Sequence, residues 1–356
     1  MTGHLQACPA PPGPAIRARR RLLVACLCLL AGLLAMPAGG AAGEASAPPR
    51  RLRIATYNVR NYNSELRHVD GRTLPDYPKP EAEKAALRLV LRTVDADVLA
   101  LQETGGAPHV RELLRDLRRE GLIYPHSAVL EGPDPRRRLA FISKHPFEVR
   151  ASFQKLPVHG VPGVENVSRG LLGITLDTPS GPLACYAVHL KSRLTRTAAD
   201  PQSANQRLAE ARAIHEKISG LEKLPPPPAK PRRGGTAGGG RGVSGAAPER
   251  PGTPPPPLVL ILGDFNDDPD SPPLLEFTGD ARKGFRHFQA IPAADSRSET
   301  WTSNYARKDT YSRSDYILAT RSALSHVHDG RGAIADTATA LTASDHRLVW
   351  IDLQFL

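Results

Sequence analysis

Cysteine is nearly absent from the working part of this chain. Of four in 356 residues, Cys8, Cys26 and Cys28 lie at the N-terminus, which leaves Cys185 alone in the rest. One thiol closes no intramolecular disulfide and builds no cysteine metal cluster, so a disulfide framework is excluded. Cys185 falls in an apolar, strand-like run and reads as a small buried residue. Aromatics make up only 5% of the chain, and no run reads as an exposed aromatic hairpin suited to membrane insertion. A Walker-type glycine loop is missing, as is a Gly-x-Ser-x-Gly nucleophile elbow, which argues against nucleotide-loop chemistry and a serine hydrolase. No internal repeat appears, and the length suits one large domain or two ordinary ones.

The formal charge of +11 suggests a polyanion partner, but much of it sits in two segments. Arg17, Arg19, Arg20 and Arg21 open the chain; Lys230, Arg232, Arg233, Arg241 and Arg250 lie in a low-complexity stretch. Without these segments roughly +4 remains, a mildly basic surface. Arg17–Arg21, the short apolar run Leu22–Leu34 and the small residues Ala38–Ala47 together read as a secretory signal peptide cut within Ala41–Ala47. The run is too short for a comfortable membrane span, so no stable span is expected in the mature chain. Residues 1–47 are therefore read as signal peptide and linker, the protein as secreted or periplasmic, and the mature chain as a monomer.

Residues 48–356 alternate apolar strands with helices. Leu52–Val59, Val98–Leu101, Leu139–Ser143, Gly170–Leu176, Leu183–Leu190 and Leu258–Leu262 read as strands. Glu81–Val94, with Ala85, Leu89, Leu91 and Val94 near one face, Val110–Glu120 and Ala204–Leu221 read as helices, and Pro75–Pro80 as a loop. From 225 to 257 the chain collapses into Pro, Gly, Ala and Arg. That stretch buries too little apolar surface to offset its ordering entropy, so it reads as a disordered insertion inside the domain. The alternation with tight turns points to α/β with mixed pairing.

Polar residues recur at strand ends, where a rigid sheet presents a hydrolytic centre. Gly263-Asp264-Phe265-Asn266 follows Leu258–Leu262, and Asp264 and Asn266 share a side because residues two apart share a face. Ser344-Asp345-His346 precedes another apolar run and supplies a proton-handling pair. His189 ends Leu183–Leu190, with Lys191 two residues on placed to meet a phosphate. Asn58, Glu103 and Asp315 each stand at the edge of a strand, and Glu103 is the acid a hard cation needs. Taken singly, each segment is also compatible with an ordinary strand-to-turn stop. His326 and His328 alternate on a strand-like segment and form no metal spacing.

In this order, Ile54–Asn61, Leu101–Thr104, Val188–Ser192, Gly263–Asn266, Ser314–Ile317 and Ser344–His346 resemble the endonuclease/exonuclease/phosphatase superfamily, the pancreatic-deoxyribonuclease-like enzymes, as a secreted bacterial-type member. The resemblance spans essentially the whole mature chain. It implies a four-layer α/β/β/α sandwich of two mixed sheets flanked by helices. It implies Mg²⁺ or Mn²⁺, with Glu103, Asn58 and Asp345 as ligands. It makes His346 the general base oriented by Asp315, gives Asp264 and Asn266 the positioning of water and phosphate, and sets His189 against the scissile phosphate. The sequence departs from two branches. Arg60 stands where base-excision endonucleases carry an acid, which disfavours abasic-site repair. Arg136-Arg137-Arg138 stands where secreted nucleases hold the acidic partner of the first histidine. The expected activity is a divalent-metal-dependent phosphodiesterase with nucleic acid, DNA or RNA, as substrate. The alternative keeps the chemistry and changes the ester, to a phospholipid head group, as in sphingomyelinases, or a phosphomonoester.

Overall fold

Alternate residues of the central strands face two different cores, and that alternation builds the layers. In the computed structural model Ile54 packs between the sheets while Ala55 packs under helices. Leu260 and Leu262 likewise face the intersheet core, and Val259 and Ile261 face the other side. A strand apolar on both faces has to be covered twice, so each sheet lies between a second sheet and a helical layer. The structure describes residues 48–355 apart from 196–197, 225–254, 281–283 and 286.

The strands are β1 (Arg51–Tyr62), β2 (Ser64–Val69), β3 (Arg72–Pro78), β4 (Val98–Thr104), β5 (His126–Leu130), β6 (Arg138–Ser143), β7 (Glu148–Phe153), β8 (Leu171–Leu176) and β9 (Leu183–His189). There follow β10 (Leu258–Asp264), β11 (Gly279–Asp280), β12 (Gly284–Phe285), β13 (Phe288–Ala290), β14 (Ala293–Ala294), β15 (Ser303–Tyr305), β16 (Thr310–Ser312), β17 (Asp315–Thr320), β18 (Gly332–Ile334) and β19 (Val349–Gln354). The longer helices are α1 (Glu81–Val94), α2 (Ala107–Arg119) and α3 (Ala204–Leu221). One sheet runs β14-β18-β19-β1-β4-β6-β5 and the other β13-β17-β10-β9-β8-β7. Each mixes directions: β1 is parallel to β4 and antiparallel to β19, and β10 is parallel to β9 and antiparallel to β17. Helices α1 and α2 cover the first sheet and α3 the second. This is the expected four-layer sandwich, and its three cores all lie within the compact unit Pro48–Leu356.

Several local expectations need correction. The buried face of α1 is Leu87, Val90, Leu91 and Val94, while Leu89 is exposed. Residues 75–78 are strand, not loop, because β2 and β3 form a hairpin closed by Asp70-Gly71, both at positive φ. Asp-Gly is the usual chemistry of such a turn; the flanking strands are too polar to stand out. His326 lies in a turn and His328 opens the short 3-10 turn His328–Gly330, so the two do not alternate on a strand. Cys185 is buried in the intersheet core, where loss of solvent pushes its thiol up. Residues 1–47, read above as signal peptide and linker, and nearly all of residues 225–257, read as an insertion, lie outside the described residues. Among the described residues no helix is long and apolar enough to cross a membrane.

Candidate active site

Strand register puts three of the expected residues side by side. Asp264 is paired with His189 on β9 and with Asp315 on β17, so the three form a row across neighbouring strands. Side chains opposite one another on a sheet share a face. Asn58 ends the regular part of β1, paired with Gln102 just before Glu103. The facing sheets bring the two groups together: Asn58 Nδ2 donates to Asp264 Oδ2 at 3.1 Å.

Asp264 Oδ2 is the hub. It also accepts from Asn266 Nδ2 at 3.1 Å and lies 3.5 Å from His189 Nε2 and 3.8 Å from His346 Nε2. Oδ1 of the same carboxylate accepts the Asn266 N–H at 2.8 Å. Gly263 allows this approach. Its φ is +151°, and a Cβ there would overlap the Val188 carbonyl of the adjacent strand. Arg60, Asn61, Glu103 and Asn266 also hold positive φ without being glycine. Such strained backbone persists where surrounding contacts enforce it, and here it clusters at the strand ends that carry the polar groups.

His346 closes the constellation. Its Nδ1–H donates to Asp315 Oδ2 at 2.8 Å, which leaves Nε2 facing Asp264. Burial is the largest influence on this imidazole and opposes its charge, but Asp315 and Asp264 together outweigh it and hold the pKa well above 6.5. Burial acts the other way on Asp264, pushing its carboxyl up to about 7 against the nearby His346. His189 is depressed well below 6.5, first by burial and then by Arg169, His346 and Arg137. Its Nδ1 is buried without a hydrogen-bond partner, in keeping with the arginine run where an acidic partner was missed.

Glu103 faces the same cleft. Its Oε1 stands 3.9 Å from His189 Nε2 and 3.5 Å from Arg137 Nε, and Oε2 accepts the Asn61 N–H at 3.0 Å. Asn58 Oδ1 accepts the Arg60 N–H at 3.0 Å. Asp345 Oδ1 accepts a long hydrogen bond from the buried Ser344 Oγ at 3.5 Å, and its part-exposed carboxylate lies 3.8 Å from Arg60 Nε. Glu103 and Asn58 thus hold the Asn61 and Arg60 N–H groups while Asp345 lies beside the Arg60 side chain, and an all-oxygen donor set of this kind suits a hard divalent cation. Asp264, Asp315 and His346 also hold ligand atoms within 4.8 Å of one another. That second cluster is a candidate metal site too, and its Nδ1–Oδ2 hydrogen bond also suits it to a proton relay.

Lys191 does not reach toward a phosphate as expected. Its Nζ turns back to the carbonyls of Ser192 and Leu194. Sequence reasoning missed the buried charges that brace this edge. Glu210 holds the Lys191 N–H at 2.8 Å, Arg207 pairs with Asp267 at 2.8 Å, and Arg169 lies buried with Nη1 on the Leu190 carbonyl. Ser168-Arg169-Gly170 just ahead of β8 was the available signal. A polar group before an apolar strand reads as an ordinary cap until its burial is known.

The sequence model of the endonuclease/exonuclease/phosphatase family matches residues 55–346, which run from β1 to His346. The chain belongs to that family. The solved structures agree on the fold. An endonuclease/exonuclease/phosphatase family protein from Bacteroides thetaiotaomicron is 15% identical with a TM-score of 0.53, over 86% of this chain and 99% of the other. The human Nocturnin catalytic domain, solved with a bound sulfate anion, is 16% identical with a TM-score of 0.51, over 87% and 96%. A family protein from Bacteroides vulgatus is 15% identical with a TM-score of 0.51, over 86% and 100%. No curated protein sequence matches this chain significantly. Members of this family are phosphoesterase-type hydrolases, generally dependent on a divalent metal, and the chain carries a candidate metal site.

Proposed function

We propose that this family member is an exported, monomeric phosphodiesterase that uses Mg²⁺ or Mn²⁺ to hydrolyse nucleic acid. The observation that carries the reading is the single cleft in which His346, Asp264, His189 and Glu103 converge under a rim of arginines. Arg60 lies beside Asp345, Arg137 beside Glu103 and Arg193 on the Asn266 carbonyl, and a cationic rim complements a chain of phosphates.

The proton path follows from the hydrogen bonds. Asp315 fixes His346 through Nδ1, so Nε2 takes the proton of an attacking water while the water oxygen bonds to phosphorus. Asn58 and Asn266 fix Asp264, which orients that water beside His346. His189, the less charged imidazole, donates a hydrogen bond from Nε2 to the phosphate as the bond to the leaving oxygen breaks, and that oxygen leaves as an alcohol by taking a proton from solvent water. Glu103, Asn58 and Asp345 would hold a divalent cation, whose charge would stabilise the phosphoryl oxygens.

A plasmid-nicking and oligonucleotide-hydrolysis assay on protein lacking residues 1–47, with Mg²⁺ or Mn²⁺, tests the reading. Cleavage is expected, and His346→Ala and Asp264→Ala should each abolish it while melting nearly as wild type. No cleavage of DNA or RNA with either metal, alongside release of phosphocholine from sphingomyelin or of phosphate from a monoester, would reject nucleic acid as the substrate.

A further inference from the structure

The hairpin β15–β16 is rooted in the catalytic residues. Ser303 forms an antiparallel bridge with His346, and the Asn304 N–H donates to the Asp345 carbonyl at 2.8 Å. Thr302 Oγ1, at the foot of the hairpin, accepts the N–H groups of Ser314 and Asp315, both at 3.0 Å. A hairpin tied at these points moves with the site rather than independently of it. This is the exposed aromatic hairpin that the sequence did not reveal, because three-residue strands carry too little pattern.

Its faces are not equivalent. Residues paired across an antiparallel bridge point to the same side, so Ser303 shares the side of His346. Tyr305, two residues on, shares the side of Ser303 and lies about 7 Å further along the strand. That ring is 48% exposed. Tyr311 lies on the opposite face, paired with Asn304, and is backed edge-on by Trp301 at 5.0 Å, which itself lies under the Arg347 guanidinium at 4.0 Å. The turn between the strands carries Arg307 and Lys308, both exposed.

A half-exposed ring on the catalytic side, about one nucleotide from the base, with two cations beyond it, matches a base followed by a phosphate. A paired base has no free face to offer such a ring, whereas an unpaired one does. A membrane-inserting hairpin would place its apolar side chains at the tip. Here the tip is Ala306-Arg307-Lys308-Asp309, and the rings stand at the sides. We propose that Tyr305 is a specificity-determining residue that stacks on an unpaired base flanking the scissile phosphate, while Arg307 and Lys308 meet the next phosphate, so that the substrate is single-stranded nucleic acid. This rests on the nuclease reading above.

The test compares wild type, Tyr305→Ala and Tyr305→Phe on one oligonucleotide, single-stranded and in duplex, with vesicle sedimentation on sphingomyelin–phosphatidylcholine. On the single strand, Tyr305→Ala should raise KM about tenfold or more with kcat within about twofold, and Tyr305→Phe should restore it. The duplex should be cut more slowly than the single strand by wild type, with little further loss in the Ala variant. Arg307→Ala with Lys308→Ala, at exposed positions that do not bear on folding, should raise KM and flatten its salt dependence. Wild-type values for Tyr305→Ala on the single strand, equal losses on both strands, or lost vesicle binding with unchanged cleavage would each overturn the proposal. A wild type that cuts no polynucleotide refutes the nuclease reading and this inference together. A wild type that cuts, with an unaffected Tyr305→Ala, refutes the inference alone.

Discussion

Gly263→Ala places a methyl group between the strands that carry His189 and Asp264. It would overlap the Val188 carbonyl oxygen and stand 2.9 Å from its carbon, where ordinary contact begins at 3.4 Å. The oxygen would be only 1.9 Å away, so the strands must part by about an ångström to bring it to 3.0 Å, and hydrogen-bonded neighbours only about 4.8 Å apart cannot do this without losing ladder bonds. Overpacking costs about 1–3 kcal/mol, and the φ of +151° adds a further ~1–3 kcal/mol for a residue with a Cβ. The expected loss is about 2–6 kcal/mol. With an unfolding entropy of about 2.1 cal/mol/K per residue over roughly 300 residues, Tm should fall by roughly 3–10 °C. The same displacement lengthens the 3.5 Å approach of His189 to Asp264, so kcat/KM should fall by about 10- to 100-fold. Gly71→Ala is the control, since its Cβ meets nothing within 4 Å and only the positive φ opposes it, at about 1 kcal/mol. Thermal unfolding and hydrolysis kinetics on both variants decide the matter. A Gly263→Ala protein that melts and turns over like wild type would refute the argument from strand spacing.

Four other outcomes are expected. Asp315→Asn should lower kcat by about 10³-fold or more with a small change in Tm, because His346 loses its orienting acceptor; unchanged turnover would remove Asp315 from the relay. Chelation should abolish hydrolysis, with recovery on adding Mg²⁺ or Mn²⁺, and Glu103→Gln should raise the metal needed at half-activity by about tenfold or more; full activity in chelator would contradict the metal site. Asp295 is held down at about 2: burial is the largest influence and would raise its pKa, but hydrogen bonds from the Glu299 and Arg297 N–H groups and from Arg347 together outweigh it. A depressed carboxylate stabilises the fold above its ordinary value near 3.8 and ceases to do so as pH falls through about 2. Denaturant titrations should then show the wild-type advantage over Asp295→Asn shrinking across that window, and a constant gap would contradict it. Replacing residues 225–254 by a short Gly/Ser linker should leave kcat/KM within about twofold; a large loss would mean the segment is more than a spacer.

The layered architecture could be read because buried strands declare themselves. Leu258–Leu262 and Val98–Leu101 are apolar at every position, which only a sheet covered on both faces requires. The candidate site residues were legible for a related reason, as each stands within a few positions of one end of an apolar run, Asp264 and His189 after theirs and Asp315 and His346 before theirs. What stayed hidden depends on partners far away in sequence. Glu210 and Arg207 on α3 look like ordinary solvent-facing charges, yet both are buried against the loop after β9. The two hairpins at the site edge are polar, short and strained, so periodicity carries no trace of them. Asp345, which the motif groups with Glu103 and Asn58, lies with its carboxylate beside the Arg60 side chain, a neighbour that only the fold reveals.

The bond from Asn58 to Asp264 is a clasp between the two halves of the sandwich. On one side of the cleft Asn58 and Glu103 ride on β1 and β4, with Asp345 and His346 just ahead of β19; on the other, His189, Asp264 and Asp315 ride on β9, β10 and β17. The layer between them is plain hydrocarbon, including Leu262, Ile317, Val98 and Phe141. Trimming that filling lets the halves slide or settle, and the clasp registers the shift at once. Catalysis in this protein should therefore fail before the fold does, and core residues far from any phosphate belong to its working parts.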